Sequence, residues 1–96
     1  MKTIAVVSGK ASDFRSFVGR VYDKINSETK SMLATGSKIV LDPGNDATTY
    51  ILVQRVRDIR GYRIDGYEAI LSAYTLPEYD GIMQQIGLCS KIEPTP

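Results

Sequence analysis

Along this chain the spacing of apolar positions alternates between unbroken runs and a three-to-four-residue repeat, and each change predicts a new element. Thr3 to Ser8 is a continuous run of β-branched type that stops at Gly9. A run without polar alternation predicts a buried strand of the parallel kind. Phe14, Phe17, Val18, Val21, Tyr22 and Ile25 follow at i, i+3, i+4, i+7, i+8 and i+11, the signature of an amphipathic helix. Ser12 or Asp13 offers its N-cap, and Asp13 also suits the positive end of the helix dipole. From Asn26 to Ser37 the only apolar contributors taken up are Met32 and Leu33. This stretch reads equally as a short helix ending at Gly36 or as a loop.

Lys38 to Leu41 predicts a brief strand, and Asp42-Pro43-Gly44-Asn45-Asp46 is a dense turn signal. Thr48 to Val56 is rich in β-branched and aromatic residues, so the two runs around that turn predict a hairpin. Tyr67 to Tyr74 predicts a further strand. Thr75-Leu76-Pro77-Glu78 combines a capping box with a proline in the first helical turn. Tyr79, Ile82, Met83 and Ile86 then repeat at helical spacing, and Gly87 supplies the stop. Gly81 within that helix costs about 1 kcal/mol against alanine, which predicts a close packing contact there. The expected fold class is α/β: a small, mostly parallel sheet of about four strands with one hairpin, covered by two main helices. Residues 1–92 form one domain, and 93–96 form a flexible tail.

Composition narrows the function classes. The chain has 96 residues, a net charge of +1, one cysteine (Cys89) and no histidine. A single core fits that length. With so little net charge, any pull on nucleic acid or membrane must come from a local patch. One cysteine forms no internal disulfide and suits a reducing compartment. No stretch has the length or apolar content of a signal peptide or a membrane span. A soluble, cytoplasmic protein is the expectation.

Two stretches carry candidate chemistry. Ser8-Gly9-Lys10-Ala11-Ser12 joins the first strand to its helix, where backbone N–H groups and the helix dipole commonly meet phosphate. A P-loop would need glycine at position 4 and serine or threonine at position 11, and the chain has Ile4 and Ala11. A tight turn with a solvated Lys10, or weak anion binding, is what remains. The second stretch holds Arg55, Arg57, Arg60 and Arg63 beside Tyr62, four guanidinium groups in nine residues. Such a set can grip phosphates and stack on bases, can grip an acidic patch on a protein, or can be solvated and partly paired with Asp58, Asp65 and nearby glutamates. Catalysis lacks its usual parts. Without histidine the commonest general base and metal ligand are both missing, and no paired-carboxylate, metal or triad spacing can be read. No cofactor and no metal site are expected. Of the six tyrosines, Tyr50 and Tyr62 lie near turns and are the interface candidates.

The segment from Tyr50 to Tyr74 resembles the back half of the nucleotide-binding core of large terminase subunits and related helicases. The matching pieces are Ile51 to Val56, then Arg60-Gly61-Tyr62-Arg63-Ile64-Asp65, then Tyr67 to Leu71. Small bacteriophage proteins of this length also resemble it in the strand, Ser8-Gly9 turn and helix at the start. The resemblance implies a Rossmann-like core. The chain departs from it where it matters, since Ser72-Ala73-Tyr74 stands in place of the Walker B acids. Without those acids nothing fixes magnesium or orients water against a γ-phosphate.

The expected function is therefore that of a non-catalytic, phage-type accessory or host-interaction protein acting by protein binding. Arg55, Arg57, Arg60, Tyr62 and Arg63 form its contact surface, and an exposed sheet edge offers homodimer pairing. The alternative is a nucleic-acid or nucleotide-binding module using the same arginines with Lys10. An enzyme with an unrecognised site is the third reading.

Overall fold

The first strand, β1 (Lys2–Val7), lies inside the sheet with a parallel partner on each side. The structure is a computed structural model that describes residues 2–24, 32–35, 37–41, 47–86 and 90–91. Helix α1 (Ala11–Lys24) follows β1, and β2 (Met32–Thr35), β3 (Lys38–Leu41) and β4 (Thr48–Val53) come next. A 3₁₀ turn (Val56–Ile59) leads to β5 (Gly66–Ala69), and a second 3₁₀ turn (Leu71–Thr75) leads to helix α2 (Tyr79–Ile86). A two-residue β6 (Ser90–Lys91) ends the described chain. The sheet order is β2-β3-β4-β1-β5-β6.

Parallel pairing holds from β4 through β1 and β5 to β6, whereas β2 with β3 and β3 with β4 are antiparallel. The sheet is thus mixed rather than mostly parallel. It has five strands of four residues or more where about four were expected, with β6 as a short addition. The extra strand is β2, inside the polar stretch read as a helix or a loop. Its ladder to β3 runs from Met32 opposite Leu41 to Thr35 opposite Lys38. A four-residue strand at a sheet edge needs little apolar periodicity, because its partner supplies the hydrogen bonds.

Two layers of side chains explain the unbroken apolar run of β1. Ile4 and Val6 face α1 and pack with Phe14, Phe17, Val18, Tyr50 and Leu52. Ala5 and Val7 face the other way and pack with Ile51, Val53, Ile82 and Ile86, joined by Ile59 and Ala73 from the two 3₁₀ turns. A strand covered on both faces has no position for a polar residue. The helix read from Phe14 to Ile25 is present, with Phe14, Phe17 and Val18 as its buried stripe. It begins at Ala11, so Ser12 and Asp13 lie in its first turn and are not the cap; Phe14 N–H donates to Lys10 O (3.3 Å).

Strand ends follow from β1. Val7 is opposite Val53 on one side and Ala69 on the other. Ser8 N–H donates to Val53 O (3.2 Å) and Ile70 N–H to Val7 O (2.9 Å), after which neither neighbour has a partner to follow. So β4 stops at Val53 rather than Val56, and β5 stops at Ala69 rather than Tyr74. The expected capping box does not form either. Thr75 Oγ1 donates to Ser72 O (2.7 Å), and a Glu78 carboxylate oxygen accepts from Val56 N–H (3.1 Å). The close contact expected at Gly81 is there: a Cβ on it would lie 3.1 Å from Val56 Cγ2. Ile25, Gly36, the turn at 42–46, Gly87, Cys89 and the tail at 93–96 lie outside the described residues. No described helix is long and apolar enough to cross a membrane.

Tyr50 is buried between β4 and α1, its ring edge-on to Phe17 at 6.2 Å between centroids. Burial raises its phenol above the usual value near 10. The unfolded chain therefore ionises first, binds fewer protons than the native state in that range, and gains population as pH rises. Urea unfolding should show full stability below pH about 10 and a loss above it. Tyr50→Phe should flatten that alkaline slope; an unchanged slope would mean that Tyr50 is not its source.

Candidate partner-binding surface

Because β1, β4 and β5 are parallel, the turns that follow them arrive together at one end of the sheet. This is where open α/β sheets usually bind ligands. Here the turn is closed by the protein itself. Gly9 N–H donates to Ser72 Oγ (3.0 Å), and Ser8 Oγ lies 3.4 Å from the same hydroxyl. Ser8 Oγ also accepts from Lys10 N–H (3.2 Å) and donates to Lys10 O (2.8 Å). A Cβ on Gly9 would lie 2.5 Å from Ser72 O, so the two backbones are in direct contact. Backbone N–H of the kind that would hold phosphate is committed to an internal hydroxyl. Lys10 remains exposed at this end.

The arginine segment begins beside that turn. Gln54 Nε2 donates to Gly9 O (3.4 Å), which sets Arg55 next to Lys10's loop. The chain then travels the length of the sheet, since Asp65 N–H donates to Thr3 O (2.8 Å) at the opposite end. A strand of six residues such as β1 spans roughly 20 Å. Arg55 and Lys10 therefore share one end, Arg63 lies at the other, and Arg57 and Arg60 lie between. Arg57 lies in the first 3₁₀ turn and Arg60 caps its end, its N–H donating to Arg57 O (3.3 Å). Arg55, Arg57, Arg60, Tyr62, Arg63 and Lys10 are all exposed. They form an elongated strip rather than one convergent cluster.

The acids near this strip are engaged by backbone N–H groups. Asp58 Oδ2 accepts from Gln54 N–H (2.9 Å) and Arg55 N–H (3.0 Å). Asp65 Oδ2 accepts from Thr3 N–H (2.9 Å), and Glu78 from Val56 N–H as above. These carboxylates hold the backbone, and among the described residues no ion pair joins them to the four arginines. The expected pairing with Asp58 and Asp65 is not what the side chains do. Ile59, buried against α2's face of the sheet, pins the middle of the segment, and Gly61, at φ 83°, makes the left-handed turn after it.

The tyrosines divide differently from the expectation. Tyr62 is 41% exposed, as an interface residue must be, but Tyr50 is core. Tyr74, expected at a strand end, is on the second 3₁₀ turn and 60% exposed, three residues after Leu71 at 81%. Its ring lies 5.0 Å from that of Tyr79. The three-residue spacing of Leu71 and Tyr74 was the signal available for this exposed pair. Glu68, passed over in the sequence, is a buried carboxylate on the α1 side of β5, opposite Val6. At the far sheet edge β2 presents Met32, 43% exposed. No group of three or more histidine, cysteine, aspartate or glutamate residues that could hold a metal occurs among the described residues.

No family model, curated protein or solved structure matches the chain.

Closure of the β1 turn makes a stability prediction. Ser72→Ala leaves Gly9 N–H without its acceptor and should cost about 1–2 kcal/mol in urea unfolding. Gly9→Ala forces the Ser72 backbone away and should cost about 2–3 kcal/mol. Gly19→Ala, whose Cβ meets nothing within 4 Å on α1, should instead stabilise by about 0.5–1 kcal/mol. Equal effects at positions 9 and 19 would remove the close contact as the cause.

Proposed function

We propose that this chain is a non-catalytic binding protein that takes an acidic surface of a protein partner on the strip formed by Arg55, Arg57, Arg60, Tyr62 and Arg63. What carries the reading is the engagement of Asp58, Asp65 and Glu78 by backbone N–H groups, which leaves four exposed guanidinium groups with no ion pair to those acids among the described residues. Arginine is weakly hydrated and forks onto carboxylates, and with tyrosine it is enriched at binding hot spots. The strip is also held before any partner arrives, by those same carboxylate contacts and by buried Ile59, so little backbone entropy is lost on docking.

Length and charge favour a protein over a nucleotide or a nucleic acid. A strip roughly 20 Å long spreads its cations too far apart for one nucleotide. A net charge of +1 gives little of the sequence-independent attraction that nucleic-acid binders use. The reading does not depend on the phage resemblance.

The test compares capture by the intact protein and by a variant carrying Arg55→Met, Arg57→Met, Arg60→Met and Arg63→Met, from the cells that express it, after thermal melts establish that both are folded. Partners cross-linked to the strip should fall about tenfold or more in the variant. Unchanged capture would remove this surface from consideration. Binding of single-stranded or duplex DNA that weakens steeply with salt, and is lost in the same variant, would replace the protein partner with nucleic acid.

A further inference from the structure

Tyr62 stands between two depressions with different linings. On one side lies a hollow at the amino end of the parallel strands, lined by the polar residues Thr3, Lys38, Thr49, Arg63 and Asp65. On the other lies a cleft between the first 3₁₀ turn and α2, with Val56, Ile59, Ile64 and Ile86 in its floor and Arg60 and Gln85 at its rim. Among the described residues Tyr62 alone lines both.

The polar hollow is suited to a carboxylate. Lys38 and Arg63 are exposed cations from separate elements, β3 and the loop before β5. The Thr3 and Thr49 hydroxyls, adjacent across the β1–β4 ladder, have no hydrogen-bond partner among the described residues. Asp65 is the one acid among the described residues of the lining, and one of its oxygens, Oδ2, is already held by Thr3 N–H. Two cations against one acid leave a single positive charge, which matches a monoanionic carboxylate better than a phosphate dianion. The cleft differs in its floor: half-buried Val56 and Ile64 lie over Ile59 and Ile86, which are buried in the core. An apolar side chain entering it would be desolvated against fixed walls, with Arg60 at the mouth for a second acidic group.

The geometry points to a bipartite anchor: the partner is read through a short peptide segment that places an internal aspartate or glutamate in the Lys38–Arg63 hollow and a neighbouring apolar side chain in the cleft, one on each side of Tyr62. This inference rests on the reading of the arginine strip as a surface for an acidic protein, and it specifies the segment that surface selects. The polar half extends the site beyond the arginines to Lys38, on a strand distant in sequence.

The test uses the full chain against a random peptide library displayed on beads. Enriched peptides should carry an acidic residue within a position or two of leucine, isoleucine, methionine or phenylalanine. Their affinity should fall about tenfold or more with Lys38→Met and Arg63→Met together, and likewise with Tyr62→Ala. Gln85→Trp, which fills the cleft from its exposed rim, should weaken them as much while leaving the melting temperature in place. Arg15→Met with Arg20→Met, exposed on α1 and lining neither hollow, should leave affinity within about threefold. Peptides that bind without an apolar neighbour, or whose binding ignores Lys38, Arg63 and Tyr62, would overturn the anchor. If those peptides are lost instead with Arg55 and Arg57, the arginine strip stands and only the anchor falls. A requirement for a free chain-terminal carboxylate would overturn the internal residue, and failure to enrich any peptide would overturn the anchor altogether. Capture of the natural partner by the strip is scored separately in each case.

Discussion

The position of β1 between two parallel partners constrains everything else in this molecule. Its ladders to β4 and β5 run in the same direction and end at the same level, so three turns must share one end of the sheet. The chain leaving β4 must then return along the whole sheet before β5 can begin. That return is the arginine segment. Its extended course, which spaces the guanidinium groups out, is thus a consequence of strand order.

The same constraint makes the crowded end of the sheet a place for ligands in many α/β proteins, and here it is filled from within. Gly9 lies so close to Ser72 that their backbones touch, and the hydroxyl of Ser72 takes the Gly9 N–H. An internal acceptor at the end of β5 is always present, at no cost in translational freedom, so an incoming anion must compete with a bond already made.

Legibility in the sequence followed the strength of the local signal. The apolar run of β1 and the Phe14-Phe17-Val18 stripe of α1 were readable because each places every buried residue by one rule, burial on both faces or a single helical stripe. The paired runs of β3 and β4 were readable from their composition. β2 was not, since Met32 to Thr35 takes its order from the partner strand rather than from its own pattern. The ends of β4 and β5 were invisible for a related reason: they depend on where β1 stops, a long-range fact. At the candidate site the arginines and Tyr62 could be found by composition. The roles of Asp58, Asp65 and Glu78 could not, because a carboxylate beside arginines in sequence looks like an ion pair until its hydrogen bonds are known. Lys38 and Thr49 join the site only through the sheet.

The use of those carboxylates as backbone acceptors does two things at once. Asp58 accepts from Gln54 and Arg55 N–H, Glu78 from Val56 N–H and Asp65 from Thr3 N–H on β1, which together fix the path from Gln54 to Asp65. Among the described residues none of the three is ion-paired to the four guanidinium groups, which stay exposed. A carboxylate drawn onto an arginine would leave those N–H groups to water; a carboxylate bound to the backbone stiffens the segment and leaves the arginines available. Stiffness lowers the entropy lost on docking, and uncompensated charge raises what an acidic partner gains by docking. The two effects come from the same three side chains, and an amide replacement such as Asp58→Asn separates them, since it keeps an acceptor oxygen for the backbone while removing the charge.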